Sequence, residues 1–304
     1  MSVKGQLTDI TLKLASHIPY GLGSKFLSWI CRSKLLQKLF FKKGLNSTRR
    51  FLPYASPGLD VTEVMARSLA ANFMGSWRLI ALDRSPEKTF NEWVRIQGLD
   101  NLKDNYSEDH GLIVVNAHYG IPRMAPVVIS KMGFQVLSLE AVDLFTRLSI
   151  ANNAIEVMKI GGKENKTLLK EVYKARKGLN KGHILHLAAD GSFGASGIDF
   201  PLHGKPRPFA AGFAELALQT GAKVVPVWSA IDVDGHLTVE FLPVLDPGGD
   251  DMAHNERVRH LIQQYVDGVE QRYSDDPGNV RWVHFHRFLR LPEPAQAAAT
   301  ASPE

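Results

Sequence analysis

The feature that most constrains this chain is a series of short apolar runs, each too brief for a buried helix and each set between stretches of helical periodicity. They are Gly111-Leu-Ile-Val-Val-Asn116, Gln135-Val-Leu-Ser-Leu139, Ile155-Glu-Val-Met-Lys-Ile160, His183-Ile-Leu-His-Leu187 and Lys223-Val-Val-Pro-Val-Trp228. Runs of this length and apolarity form strands buried on both faces, and alternation with helices argues for an α/β sheet whose functional loops lie at the carboxyl ends of its strands. Leu237-Thr-Val-Glu-Phe241 alternates as a half-exposed strand does, and the preceding Asp234-Gly235 is a turn signal that joins it to the 223–228 run as a hairpin.

Helical spacing accounts for most of the remainder. Asp60-Val-Thr-Glu63 reads as a capping box, and Met65, Leu69, Phe73, Trp77 and Ile80 follow on one face as a single amphipathic helix. Further helices are expected over 166–177, over 208–220 and from Met252, where Val258, Leu261, Ile262, Tyr265 and Val269 form the stripe. The organisation expected is a basic amphipathic segment over 1–59, one α/β domain over 60–291 with a mixed, largely parallel central sheet flanked by helices, and a disordered Ala/Pro/Glu tail over 292–304.

Charge is distributed unevenly. The formal net charge is +5, and no acidic residue stands between Asp9 and Asp60, where Lys13, Lys25, Arg32, Lys34, Lys38, Lys42, Lys43, Arg49 and Arg50 all fall. Large apolar residues, including Leu22, Phe26, Trp29, Leu35, Leu39 and Phe40, are interleaved with these cations. The interruptions exclude a spanning helix, which needs about 20 consecutive apolar residues. The pattern fits a helix lying in a bilayer interface, or equally one packed on the domain. The aliphatics argue against nucleic acid as the partner. The single cysteine, Cys31, cannot form an internal disulfide and reads as packing.

Few residues carry chemistry on their own pattern. His118 follows the 112–116 strand and precedes Tyr119-Gly-Ile-Pro122, where a sheet edge gives way to a turn and a general base can work. The segment Asp190-Gly-Ser-Phe-Gly-Ala-Ser-Gly197 follows another strand, and its glycines permit either close approach to a ligand or a solvated loop. No G-x-S-x-G elbow occurs, which argues against the common α/β serine hydrolases. His284-Phe-His286 is a lone pair without a cluster, so no metal is expected.

The order of several segments resembles the lauroyl/myristoyl acyltransferases of lipid A biosynthesis, within the lysophospholipid acyltransferase superfamily. The pieces are Val94-Arg-Ile-Gln-Gly-Leu-Asp-Asn-Leu102, Gly111 to Gly120, Ala188-Ala-Asp190, Asp199-Phe-Pro-Leu-His-Gly-Lys-Pro206, Ala217 to Val227 and Arg281-Trp-Val-His-Phe-His-Arg-Phe288. The resemblance implies a peripheral enzyme on the cytoplasmic face of the bacterial inner membrane, with no cofactor. It implies an acyl-carrier-protein or CoA thioester as co-substrate and a lipid, glycolipid or polysaccharide precursor as acceptor, with His118 as general base.

The family motif is H-x-x-x-x-[DE], yet Arg123 stands at its last position, while Glu140 falls close to where the family carries an arginine after its second strand. The two charges look exchanged. Glu140 is therefore expected to face Arg123, with either Glu140 or Asp190 orienting His118. Arg123, Gly191, Ser192, Lys205 and Arg207 are the expected substrate contacts, a surface charge pair being the other reading of Lys205 and Arg207. Met124, Phe193, Phe209 and Phe213 form either an acyl channel or core. Arg123 also keeps open a relative that binds lipid or acyl carrier without turnover.

Overall fold

The computed structural model describes residues 11–73, 75–140, 143–159, 165–191 and 197–282. Its centre is a seven-stranded sheet in the order β1-β9-β8-β2-β5-β3-β4. The strands are β1 (Val94–Gln97), β2 (Leu112–Asn116), β3 (Val136–Glu140), β4 (Ile155–Lys159), β5 (Ile184–Ala188), β8 (Lys223–Ile231) and β9 (Leu237–Phe241). Every pairing is parallel except the β8–β9 hairpin, in which Val227 faces Phe241 and Ile231 faces Leu237. A separate antiparallel ribbon joins β6 (Gly197–Leu202) to β7 (Lys205–Ala210).

The pleat explains why the central runs read as continuously apolar. Along β2, Leu112 and Val114 enter one hydrophobic cluster while Ile113 and Val115 enter the other, so both faces are covered. Helices α1 (Tyr20–Arg32), α2 (Lys34–Phe40), α3 (Lys42–Ala55), α4 (Val61–Asn72), α5 (Gly75–Asp83), α6 (Met124–Lys131), α7 (Asn165–Leu179), α8 (Gly212–Thr220) and α9 (His254–Asp275) flank it. Met124 to Ile129 of α6 and Leu79 to Leu82 of α5 pack on the first face. Phe213 and Leu216 of α8, with Val258, Ile262 and Val269 of α9, pack on the second.

Two expected elements differ. The stripe from Met65 to Ile80 is two helices, because the backbone turns extended at Phe73 (φ −76°, ψ 123°). The break lets Phe73 meet Phe41 edge-on at 5.0 Å while Trp77 stacks on Tyr20 at 5.6 Å. The helix expected over 208–220 starts only at Gly212, since Lys205–Ala210 is a strand. Pro201, Pro206 and Pro208 disguised this ribbon, as proline belongs at edges and not in central strands. His203 and Gly204, both at positive φ (48° and 69°), make its reversal.

The basic N-terminal segment is helical and has two faces. Tyr20, Leu27 and Cys31 are buried, each large apolar side chain contributing on the order of 1.5–3 kcal/mol. Arg78, fully buried, donates to Ser24 Oγ at 2.7 Å and to Tyr20 Oη at 3.2 Å, and Tyr20 donates to the Gly235 carbonyl at 2.6 Å. Burial, reduced somewhat by the Arg78 charge, pushes the Cys31 thiol up to about 11, in keeping with packing. The opposite face exposes Leu14, Ile18, Leu22, Phe26, Trp29, Leu35, Leu39 and Phe40, the last of them 73% accessible. Among the described residues no helix is long and apolar enough to cross a membrane. The 292–304 tail lies outside the described residues.

Candidate active site

The register of two parallel strands creates the site. Asn116 at the end of β2 pairs with Ala188 at the end of β5. Continuing both strands by two residues brings His118 and Asp190 side by side at the carboxyl edge of the sheet. There His118 Nδ1 lies 2.7 Å from Asp190 Oδ1, and the His118 backbone N–H donates to Asp190 Oδ2 at 3.0 Å. The acid is fully buried, while the histidine side chain keeps 20% exposure and so remains reachable.

Other groups converge on the same carboxylate. Tyr273, from α9, donates to Asp190 Oδ2 at 3.1 Å. Arg207, buried on β7, donates to the Asp190 carbonyl and lies 3.3 Å from Oδ2. Burial by itself raises the Asp190 pKa, but the charge and hydrogen bonds of His118 and the charge of Arg207 outweigh it and hold the carboxyl well below the usual range. A carboxylate only accepts hydrogen bonds, so the pairing assigns the ring proton to His118 Nδ1. Burial and the Asp190 charge push the Tyr273 hydroxyl well above its ordinary value, which keeps it a donor.

The turn carrying His118 is fixed by backbone contacts. Gly120 N donates to Asn279 O at 2.8 Å, Ile121 N to Ser229 O at 2.9 Å and Arg281 N to His118 O at 3.3 Å. Gly120 adopts φ +55°, and a Cβ there would collide with the Ser229 carbonyl, so glycine is required on two counts.

Arg123 precedes α6 and meets Glu140 at the end of β3, with Nε at 3.0 Å and Nη2 at 2.7 Å from the same Oε2. Behind this pair runs a buried relay. The Asn116 amide donates to His186 Nε2 at 2.7 Å and to the Pro122 carbonyl at 3.1 Å. His186 Nδ1–H then donates to Ser138 Oγ at 2.9 Å, and the Ser138 hydroxyl donates to Glu140 Oε1 at 3.2 Å. Burial, with the Arg123 charge added, lowers His186 to about 3 and keeps it neutral.

Of the expected site residues, the structure brings together His118, Asp190 and Arg207, and separately Arg123 and Glu140. Gly191 is buried directly after Asp190. Ser192, Phe193 and the His284/His286 pair lie outside the described residues. Lys205 begins β7 at the turn of the ribbon. Arg207 is no surface charge, being 1% exposed. Met124, Phe209 and Phe213 are fully buried among the core clusters. Sequence reasoning missed Tyr273, which continues the α9 stripe four residues past Val269, and the Asn116–His186–Ser138 relay, whose polar members sit inside runs read as plain strand.

A model of the bacterial lipid A biosynthesis acyltransferase family matches residues 58–290. The chain belongs to that family. It is an acyltransferase acting on lipid substrates. Among solved structures it is similar to the 1-acyl-sn-glycerophosphate (LPA) acyltransferase, PlsC, from Thermotoga maritima. Identity there is 15%, with 77% of this chain and 98% of that chain covered and a TM-score of 0.35. No curated protein matches the sequence. In this acyltransferase the carboxylate beside the histidine comes from the end of β5, and the position where the resembled motif has an acid carries Arg123.

Proposed function

We propose that the protein transfers an acyl chain from an acyl-carrier-protein or CoA thioester to a hydroxyl of a lipid, glycolipid or polysaccharide precursor, with His118 as general base and Asp190 as the residue that orients it. The observation that carries this reading is the 2.7 Å contact of Asp190 Oδ1 with His118 Nδ1. With the proton on Nδ1, the lone pair belongs to Nε2. Nε2 takes the proton of the acceptor hydroxyl as its oxygen attacks the thioester carbonyl carbon, a step in which a positioned imidazole supplies about 10²–10⁴ in rate. The tetrahedral intermediate collapses, the carbon–sulfur bond breaks, and the imidazolium returns its proton to the departing thiolate. Asp190 stabilises that imidazolium without being protonated.

The reaction takes place at the membrane surface. The exposed apolar face of α1 and α2 enters the acyl boundary, and the exposed Lys25, Lys38, Lys42 and Lys43 meet anionic headgroups. The setting proposed is the cytoplasmic leaflet of the bacterial inner membrane.

The test is product mass. Purified protein is incubated with an acyl thioester and total bacterial lipid extract, and the extract is compared by mass spectrometry with that from His118→Ala. A lipid heavier by one acyl group, formed by wild type alone, is expected. Equal product from both proteins removes His118 from the reaction, and no product from either removes acyl transfer to lipids of that extract.

A further inference from the structure

Asp190 is held from behind as well as by His118. The last torsion of an aspartate side chain is soft and roughly two-fold, so a carboxylate bound to one imidazole nitrogen alone is free to swing. Here donors fix both oxygens. Oδ1 faces His118 Nδ1 at 2.7 Å, while Oδ2 accepts from the His118 backbone N–H at 3.0 Å and from the Tyr273 hydroxyl at 3.1 Å, with Arg207 Nη2 at 3.3 Å.

Of these donors, Tyr273 carries a polar atom that packing does not explain. Its ring is 1% exposed and stacks on Tyr119 at 6.3 Å and 14°, a place that phenylalanine would fill equally well. A buried hydroxyl costs stability unless it is hydrogen-bonded, so its presence beside the carboxylate implies a use there.

Helix α9 supplies a companion. Tyr265, eight residues earlier on the same stripe, donates to the Asn116 carbonyl at 2.7 Å, at the end of the strand that leads into His118. One helix thus holds the end of β2 and the acid beyond β5, the two supports of the His118–Asp190 pair. An aromatic row ties the two tyrosines together: Tyr119, stacked on Tyr273, meets Trp228 edge-on at 5.8 Å, and Trp228 stacks on Tyr265 at 6.5 Å. All four rings are buried, which places the row behind the pair and away from substrate.

We propose that Tyr273 is a positioning residue for acyl transfer, its hydroxyl holding the plane of the Asp190 carboxylate so that one oxygen stays on His118 Nδ1, while Tyr265 fixes the strand that carries the histidine. The assignment rests on the acyl-transfer reading and adds a residue to it. Loss of one hydrogen bond to a charged acceptor, where geometry sets the rate, is expected to slow the chemical step about ten- to a hundredfold. Because the hydroxyl does not touch substrate, the loss falls on kcat and leaves KM for the thioester unchanged.

The test is Tyr273→Phe, which keeps the ring and removes the hydroxyl, with the fold checked by melting temperature. In transfer from an acyl thioester to total bacterial lipid extract, kcat is expected to fall about ten- to a hundredfold with KM within twofold of wild type. In a His118→Ala background the same substitution is expected to cost less than twofold, since Tyr273 acts only through Asp190 and the imidazole. A second readout needs no turnover: exchange of the His118 Nδ1 proton with water, followed by NMR in protein with isotope-labelled histidine and assigned by its loss in His118→Ala. Exchange is expected to be at least tenfold faster in Tyr273→Phe. A kcat within twofold of wild type, a loss that persists in full without His118, or unchanged proton exchange would each overturn the proposal. Wild type alone decides if the variant does not fold, because an Nδ1 proton exchanging as fast as that of free histidine contradicts a fixed pair. Should wild type transfer no acyl group, the exchange measurement still reports whether Tyr273 holds the pair, which separates failure of this placement from failure of the acyl-transfer reading.

Discussion

At the scale of single residues, the exchange of charges between positions 123 and 140 has a measurable consequence. Glu140 is 8% exposed and bridged by both Nε and Nη2 of Arg123, so removing one partner leaves a largely buried charge uncompensated. Arg123→Glu alone, which also sets two carboxylates together, is expected to cost about 3 kcal/mol of folding free energy in denaturant titration, and Glu140→Arg a similar amount. The double exchange, which places an acid five residues after His118 as the resembled motif has it, is expected to recover most of the loss. A double variant as unstable as the sum of the singles would show that the two side chains do not interact. The exchange was legible from sequence because both signs were reversed together. The identity of the group beside His118 was narrowed only to Glu140 or Asp190. Sequence offered no register between β2 and β5, and it is the pairing of Asn116 with Ala188 that decides for Asp190.

At the scale of elements, β2, β5 and β3 are joined by the Asn116–His186–Ser138–Glu140 relay, which depends on a neutral imidazole. The His186 pKa falls from 6.5 to about 3 on folding, so the unfolded chain binds the extra proton between those values. Stability therefore declines as pH falls from about 6.5 toward 3, by up to about 1.4 kcal/mol per pH unit from this residue. In His186→Gln, which keeps an acceptor and a donor, that part of the acid slope is expected to vanish; an unchanged slope would mean the group is not held neutral. The outer face of α1 and α2 makes a separate prediction. Phe26→Glu with Trp29→Glu, both at exposed positions, is expected to abolish flotation with anionic liposomes while leaving the melting temperature within a few degrees. Flotation equal to wild type would reject that face as the membrane contact. The strands of the central sheet were legible because burial on both faces makes their runs continuously apolar. The β6–β7 ribbon was not, since its prolines mask a period-two pattern in which Phe200, Leu202, Arg207 and Phe209 turn inward.

At the scale of the whole molecule, the sheet gathers at one edge residues far apart in the chain: His118 after β2, Glu140 at the end of β3, Asp190 after β5, Tyr273 on α9 and Arg281 near the end of the described residues. The N-terminal helices close one side of a cavity of about 830 Å³ beside that edge, lined by Met65, Leu69, Arg123 and Arg281 among others, and turn their other face outward. The sequence pattern carried the layered α/β class and the basic segment. It could not carry the cavity, whose walls come from helices separated from Arg281 by most of the chain.

The most direct measurement of the central claim is a double-mutant cycle on the chemical step, using single-turnover transfer from an acyl thioester in wild type, His118→Ala, Asp190→Asn and the combined variant. If Asp190 acts only by holding and stabilising the His118 ring, Asp190→Asn slows transfer by about 10²–10⁴, and the combined variant is no slower than His118→Ala alone. Transfer by Asp190→Asn within twofold of wild type, or losses that multiply in the combined variant, would contradict it.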